Sequence, residues 1–216
     1  MSQNIIRIKP AVLAADPEEF AAQIYACEDF CSEIDIDIIN WTRNAGKTIS
    51  AEQALMCKTT GTNFSFDLMM DHPAEIFDLL AEDSRVNTVL YNLHSKDNVL
   101  KLVHKTQDAD MLAGISVNPE STLTDLEKYL AWVDIVQIMT IEPGAQGNPF
   151  LKERLQLVTE LRSTGFTGLI GLDGGINLET IEIVKNYKID FVSVGSAISR
   201  ASSPSLMYHK LVTAVS

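Results

Sequence analysis

The chain is short of positive charge. Its 17 Lys and Arg stand against 29 Asp and Glu, a formal net charge of −12 at pH 7 over 216 residues. A nucleic-acid binder carries a basic stripe or patch; none is visible, and that class of partner is set aside. An acidic protein that binds an anion must do so locally, through backbone N–H groups and helix N-termini, because its overall field repels the ligand. Cysteine is scarce as well. Cys27, Cys31 and Cys57 give an odd count with no paired framework. Cys27 and Cys31, four apart on an apparent helix, have the spacing of a metal pair, but the plainer reading is small buried hydrophobes in a reducing compartment. No run approaches the ~18 apolar residues of a membrane span. The opening MSQNIIRIKP lacks the apolar core of a secretory signal. The sequence reads as a cytoplasmic protein with neither nucleic-acid nor membrane partners.

What is present is alternation. Short β-rich runs over 5–11, 32–38, 64–70, 88–91, 111–117, 134–139, 168–172 and 191–194 are each followed by an amphipathic or helix-prone stretch. Asp16-Pro17-Glu18-Glu19 has the order of an N-cap, a proline at the first helical position and an acidic first turn. A long helix is expected over 149–163, where Leu151, Leu155 and Val158 share one face. Such alternation requires parallel strands joined by crossover helices. Eight units in a chain of 216 residues suit a single (β/α)8 TIM barrel spanning the whole sequence. A doubly wound open sheet would satisfy the same alternation. No linker, low-complexity stretch or longer repeat divides the chain.

In a (β/α)8 barrel the active site lies at the C-terminal ends of the strands, and phosphate commonly sits in the loops after strands seven and eight. Strand seven ends here in Asp173-Gly174-Gly175 and strand eight in Gly195-Ser196-Ala197. Glycine lets the backbone turn tightly and approach a ligand, so that N–H groups can point at phosphate oxygens. Each glycine group alone is what any βα loop would use to turn; the two together, at the last two strand ends, mark a phosphate grip. A third Gly/Pro-rich segment after strand six, residues 142–149 with Gly144, Gly147 and Asn148, is expected to form a lid.

These segments resemble the ribulose-phosphate 3-epimerases, and the likeness runs the length of the chain. Ile8-Lys9-Pro10-Ala11-Val12-Leu13-Ala14-Ala15-Asp16 is similar to that family's I-A-P-S-I-L-S-A-D. Asn118-Pro119 matches an asparagine–proline after strand five. Met139-Thr140-Ile141-Glu142-Pro143-Gly144 is similar to M-S-V-N-P-G, Leu172-Asp173-Gly174-Gly175-Ile176 to V-D-G-G-V, and Gly195-Ser196-Ala197-Ile198 to G-S-A-I. The resemblance implies inversion at C3 of a ketose phosphate, D-ribulose 5-phosphate or a related phosphorylated sugar, by two aspartates on opposite faces of one carbon. Those aspartates map onto Asp35 and Asp173. Met69 and Met139 keep two of the family's methionines near the substrate, and a homo-oligomer is implied as well.

The pattern departs from the family at its metal. The two histidines that hold the cation there correspond to Glu33 and Asp67, and a methionine near the site corresponds to Asp37. Period-two alternation puts Glu33, Asp35 and Asp37 on one strand face. With Asp67 and Asp173, five carboxylates are expected at one barrel mouth, more than can stay ionised without compensation. An oxygen-preferring cation, Mg²⁺ or Mn²⁺ rather than Zn²⁺ or iron, is one solution, held by Glu33, Asp35, Asp67 and Asp173. Protonation with no metal at all is another. Lys9, which shares the inward parity of Ala11, is a third. Two alternatives to an epimerase stay open: a sugar-phosphate-binding barrel without catalysis, and a Mg²⁺-dependent decarboxylase or aldolase relative, which Met69 disfavours by occupying the place of that group's lysine.

Overall fold

The computed structural model describes residues 5–41, 48–142 and 148–216. Eight strands, β1 Arg7–Val12, β2 Glu33–Asn40, β3 Asn63–Met70, β4 Val86–Asn92, β5 Leu112–Val117, β6 Ile135–Met139, β7 Leu169–Asp173 and β8 Phe191–Val194, form a closed barrel in chain order. β8 pairs in parallel with β1, with Lys9 opposite Ser193, and this closure excludes the open sheet. The α-helices are α1 Pro17–Tyr25, α2 Ala51–Met56, α3 Phe77–Ala81, α4 Val99–Asp108, α5 Leu123–Leu126, α6 Leu155–Ser163, α7 Ile181–Val184, α8 Ser196–Ser199 and α9 Pro204–Ala214. No helix among the described residues is long and apolar enough to cross a membrane. The cap expected at Asp16 forms, its side chain accepting from the N–H groups of Glu18 and Glu19.

One helix starts later than its periodicity suggests. The stretch expected over 149–163 is α-helical only from Leu155, after a single 3₁₀ turn at Lys152–Arg154. The cause is a tertiary bond: the Leu151 N–H donates to the Thr140 carbonyl at 2.7 Å, which holds Leu151 at a non-helical φ of −91° and ψ of 86°. Backbone docking onto the barrel rim overrides the apolar spacing.

Strand alternation divides the side chains into two sets. Those pointing outward, among them Ile34, Ile36, Phe64, Phe66, Ile115 and Val136, are buried in one large core with helix residues such as Phe20 and Leu161. Those pointing inward begin with a small apolar floor of Leu90, Ile135 and Phe191, against which Leu169 packs. Gly171 makes room for it: a Cβ there would strike the Phe191 ring. Above the floor the barrel interior turns polar. Lys9, Asp35, Ser65, Asp67, Asn92, Ser116, Gln137, Asp173 and Ser193 are all buried. Polar groups are tolerated at such depth when they satisfy one another.

Candidate active site

The interior polar residues are joined across the barrel. Ser193 Oγ on β8 donates to Asp35 Oδ2 on β2 at 2.6 Å and lies 3.5 Å from Gln137 Oε1 on β6. Gln137 Nε2 donates to Asp67 Oδ2 at 2.9 Å, and Ser116 Oγ on β5 donates to Asp67 Oδ1 at 2.7 Å. Asn92 Nδ2 on β4 donates to Asn118 Oδ1 at 2.9 Å and reaches Ser116 Oγ at 3.4 Å. Side chains from β2, β3, β4, β5, β6 and β8 are thus linked through one network. Sequence reading missed Ser116, Gln137 and Ser193. The available signal was parity: each is a lone polar residue at an inward position of an otherwise apolar strand.

The carboxylates divide by depth. Asp37 and Asp67 are neighbours in register on β2 and β3, and Asp173, the last residue of β7, is in register with Ser193 and Met139. Glu33 stands apart, which corrects the expected five-carboxylate mouth. It is the first residue of β2, and its Oε1 pairs with Lys9 Nζ at 2.9 Å. That ammonium also lies 4.3 Å from the centre of the Phe191 ring, at the floor. Parity gave Glu33 the right face, but its position at the strand start places it two residues below Asp35.

Burial raises every aspartate of the group. Asp173 is held well above the usual carboxylate range, first by burial and then by the charges of Asp35 and Asp67; the Gly174 N–H works the other way. Asp37 is likewise held well above that range by burial and by the charges of Asp173, Asp35 and Asp67, and its Oδ1 has no hydrogen-bond partner. Asp35 rises through burial, opposed by the Lys9 charge and the Ser193 hydroxyl. Asp67 is pushed up to about 7 by burial, with Ser116 and Gln137 donating against the shift. Such a group holds fewer negative charges than it has carboxyls, so acid and base forms coexist.

The donor set does not fit a metal. Among the described residues no three His, Cys, Asp or Glu side chains come together to hold an ion. Glu33 is engaged by Lys9, and both oxygens of Asp67 are engaged by Ser116 and Gln137. Cys27 and Cys31 are buried free thiols, with Cys31 Sγ donating to the Cys27 carbonyl at 3.1 Å, and they serve as small core residues.

At the rim, Gly174 and Gly175 take φ values of +108° and +69°, a region closed to most L-residues. A Cβ on Gly174 would lie 2.5 Å from Ile141 Cγ1, so the turn is both left-handed and tightly packed. Gly195 leads directly into the one-turn helix α8, which starts at Ser196 and which the sequence did not announce. Its first N–H groups have no intrahelical acceptor, and a short extra helix after strand eight is where barrels of this kind hold phosphate. Met69 and Met139 are buried at the upper ends of β3 and β6. Asn148 Nδ2 donates to the Glu142 carbonyl at 2.8 Å, tying the two ends of the segment expected to be a lid. Gly144 and Gly147 lie outside the described residues, as does the rest of that segment's centre.

Comparison with known proteins agrees with this architecture. Residues 7–199 match the model of the ribulose-phosphate 3 epimerase family. The ribulose-phosphate 3-epimerase of Mycobacterium leprae is 30% identical over 204 residues, covering 92% of this chain and 90% of that protein. That of Treponema pallidum is 24% identical and covers 93% and 94%. Among solved structures, KGPDC from Streptococcus mutans superposes with a TM-score of 0.70 at 9% identity, covering 98% and 97% of the two chains. The 3-hexulose-6-phosphate synthase of Salmonella typhimurium gives 0.65 at 13% identity, covering 97% and 98%; at such identities these two likenesses concern the fold. With its closed barrel and a family match over residues 7–199, the chain belongs to the ribulose-phosphate 3-epimerase family.

Proposed function

We propose that the chain inverts C3 of a ketose phosphate, with D-ribulose 5-phosphate and D-xylulose 5-phosphate as the substrate pair to test first. The observation that carries this reading is the placement of Asp35 and Asp173 on either side of Ser193, hydrogen-bonded to the first and in register with the second. C3 is adjacent to the C2 carbonyl, so its proton is acidic enough for a positioned carboxylate to remove. One aspartate, ionised, takes the C3 proton while the electron pair moves into the carbonyl and forms an enediolate. The other, protonated, returns a proton to the opposite face, and the two exchange protonation states in each turnover. Burial that keeps part of the carboxyl group protonated supports that division of labour.

The phosphate is assigned to the Gly174–Gly175 turn and to Gly195 and Ser196, whose amides supply the local positive potential that an acidic chain lacks elsewhere. Met69 and Met139 then wall the sugar, and Asn148, bonded to the Glu142 carbonyl, is assigned to the same end of the site. We assign the activity to the cytoplasm and to a homo-oligomer on the family resemblance. The test is deuterium incorporation at C3 of D-ribulose 5-phosphate in D₂O, for the wild type and for Asp35→Asn and Asp173→Asn. Exchange by the wild type that each substitution reduces by about 10²–10⁴-fold is the expected result. No exchange by the wild type on this or any related ketose phosphate would leave a sugar-phosphate-binding barrel instead.

A further inference from the structure

We propose that this site works without a divalent cation, its place taken by Lys9 and by the barrel's own hydrogen-bond donors. The proposal deepens the epimerase reading, and only its activity arm depends on that reading.

Two observations carry it. First, both positions that correspond to metal-binding imidazoles are already engaged. Glu33 Oε1 lies 2.9 Å from Lys9 Nζ, and Asp67 receives Ser116 on one oxygen and Gln137 on the other. A hard cation demands several oxygens converging at about 2.0–2.6 Å, and turning either carboxylate toward one would break these bonds. The three segments outside the described residues contain no His, Cys, Asp or Glu that could complete a set. Second, Lys9 and Glu33 make sense only together. Lys9 is 3% exposed and is the only buried cation among the described residues. A lysine alone at the barrel floor would be a buried unpaired charge, and the partly exposed Glu33 supplies its counter-charge. As a pair they are neutral, they occupy the first metal position, and they set the Lys9 ammonium against β2 two residues below Asp35.

The same arrangement assigns Lys9 and Gln137 as positioning residues. Lys9 acts on Asp35 through charge, and Gln137 holds Asp67 in place while its Oε1 faces Ser193. Neither has to touch the substrate for the two aspartates to be held apart.

The experiment uses the full chain and has two independent arms. In the first, metal content and calorimetric titration with Mn²⁺, Mg²⁺ and Zn²⁺ are compared for the wild type and for Lys9→Ala/Glu33→His/Asp67→His. The expected result is no saturable binding by the wild type and stoichiometric Zn²⁺ binding by the triple variant. Stoichiometric binding by the wild type that Asp35→Asn removes would overturn the proposal. A folded triple variant that binds nothing would count against the Lys9–Glu33 pair as the replacement; if it does not fold, the wild-type titration decides alone. In the second arm, C3 deuterium exchange is measured before and after exhaustive chelation, with no loss of rate expected. Exchange that is lost on chelation and restored by one of these cations refutes the proposal while leaving the epimerase reading intact. Absence of exchange under every condition defeats the epimerase reading, and the titration arm still decides the metal question.

Discussion

Ser193 Oγ lies 2.6 Å from Asp35 Oδ2 and 3.5 Å from Gln137 Oε1, and it has a single proton to give. When Asp35 is ionised the short bond takes that proton. When Asp35 is protonated it can donate to Ser193, whose own proton then turns toward Gln137. The serine therefore accommodates both states of the aspartate without moving a heavy atom. Ser193→Ala is expected to lower the turnover rate for C3 exchange by roughly tenfold to a hundredfold, as for loss of one hydrogen bond to a charged group. The KM should change little, because the Ser193 hydroxyl is engaged by Asp35 and Gln137. A rise in KM at constant kcat would show that Ser193 binds substrate rather than sets Asp35.

Loss of either aspartate's proton function should be more severe. Asp35→Asn and Asp173→Asn are each expected to reduce exchange by about 10²–10⁴-fold, the range for a positioned acid or base. The double variant should be little worse than either single one, because each step of inversion needs both groups. Single-turnover exchange measurements on the three variants check this.

The Lys9–Glu33 pair gives a stability test. Lys9→Met leaves Glu33 with its carboxylate 16% exposed and unpaired, a cost on the order of 3 kcal/mol. Lys9→Met/Glu33→Gln removes both charges and should recover much of that loss. Urea denaturation of the two variants and the wild type measures the difference. A double variant as unstable as the single one would mean that packing against Phe191, not charge pairing, is what Lys9 supplies.

Asp67 gives a pH signature. Its carboxyl, pushed up to about 7, has an ordinary value of 3.8 once the chain unfolds. Between those values the folded state holds the proton and the unfolded state does not. Stability from this group is therefore fully present below about pH 4 and is lost as pH rises through about 7. Asp67→Asn does not titrate, so its melting temperature should fall less than the wild type's between about pH 5 and about pH 8. Thermal melts at the two pH values provide the comparison; equal slopes would place the effect on another carboxyl.

Gly174 tests the rim. Gly174→Ala forces a side chain into a φ of +108° and against Ile141. The left-handed backbone costs about 1–2 kcal/mol, and overpacking adds about 1–3 kcal/mol. The variant should melt lower and bind the phosphorylated substrate more weakly. The weaker binding should be absent for the unphosphorylated sugar.

The barrel itself was legible because each strand-and-helix unit announces its own period, and because Asp16-Pro17 and the glycine turns punctuate it locally. What escaped was depth. Alternation says that Glu33, Asp35 and Asp37 share a face, but how far each sits from the mouth depends on where the strand begins. Ser116, Gln137 and Ser193 were missed for a related reason. They converge from strands far apart in sequence, so no spacing joins them, and only their inward parity in apolar strands hints at a shared interior. The start of α6 was misjudged because a single backbone bond from Leu151 to the rim outweighs three well-spaced apolar residues.

The floor formed by Leu90, Ile135 and Phe191 makes the barrel a blind well. On the proposed chemistry, a proton taken from the sugar is held above that floor by buried carboxyls and is traded only with water that reaches them. Solvent isotope should then enter product at a rate set by how readily water reaches Asp35 and Asp173 during each turnover. The ratio of isotope retained to isotope washed in then measures how long the buried Asp35 and Asp173 keep the proton from solvent.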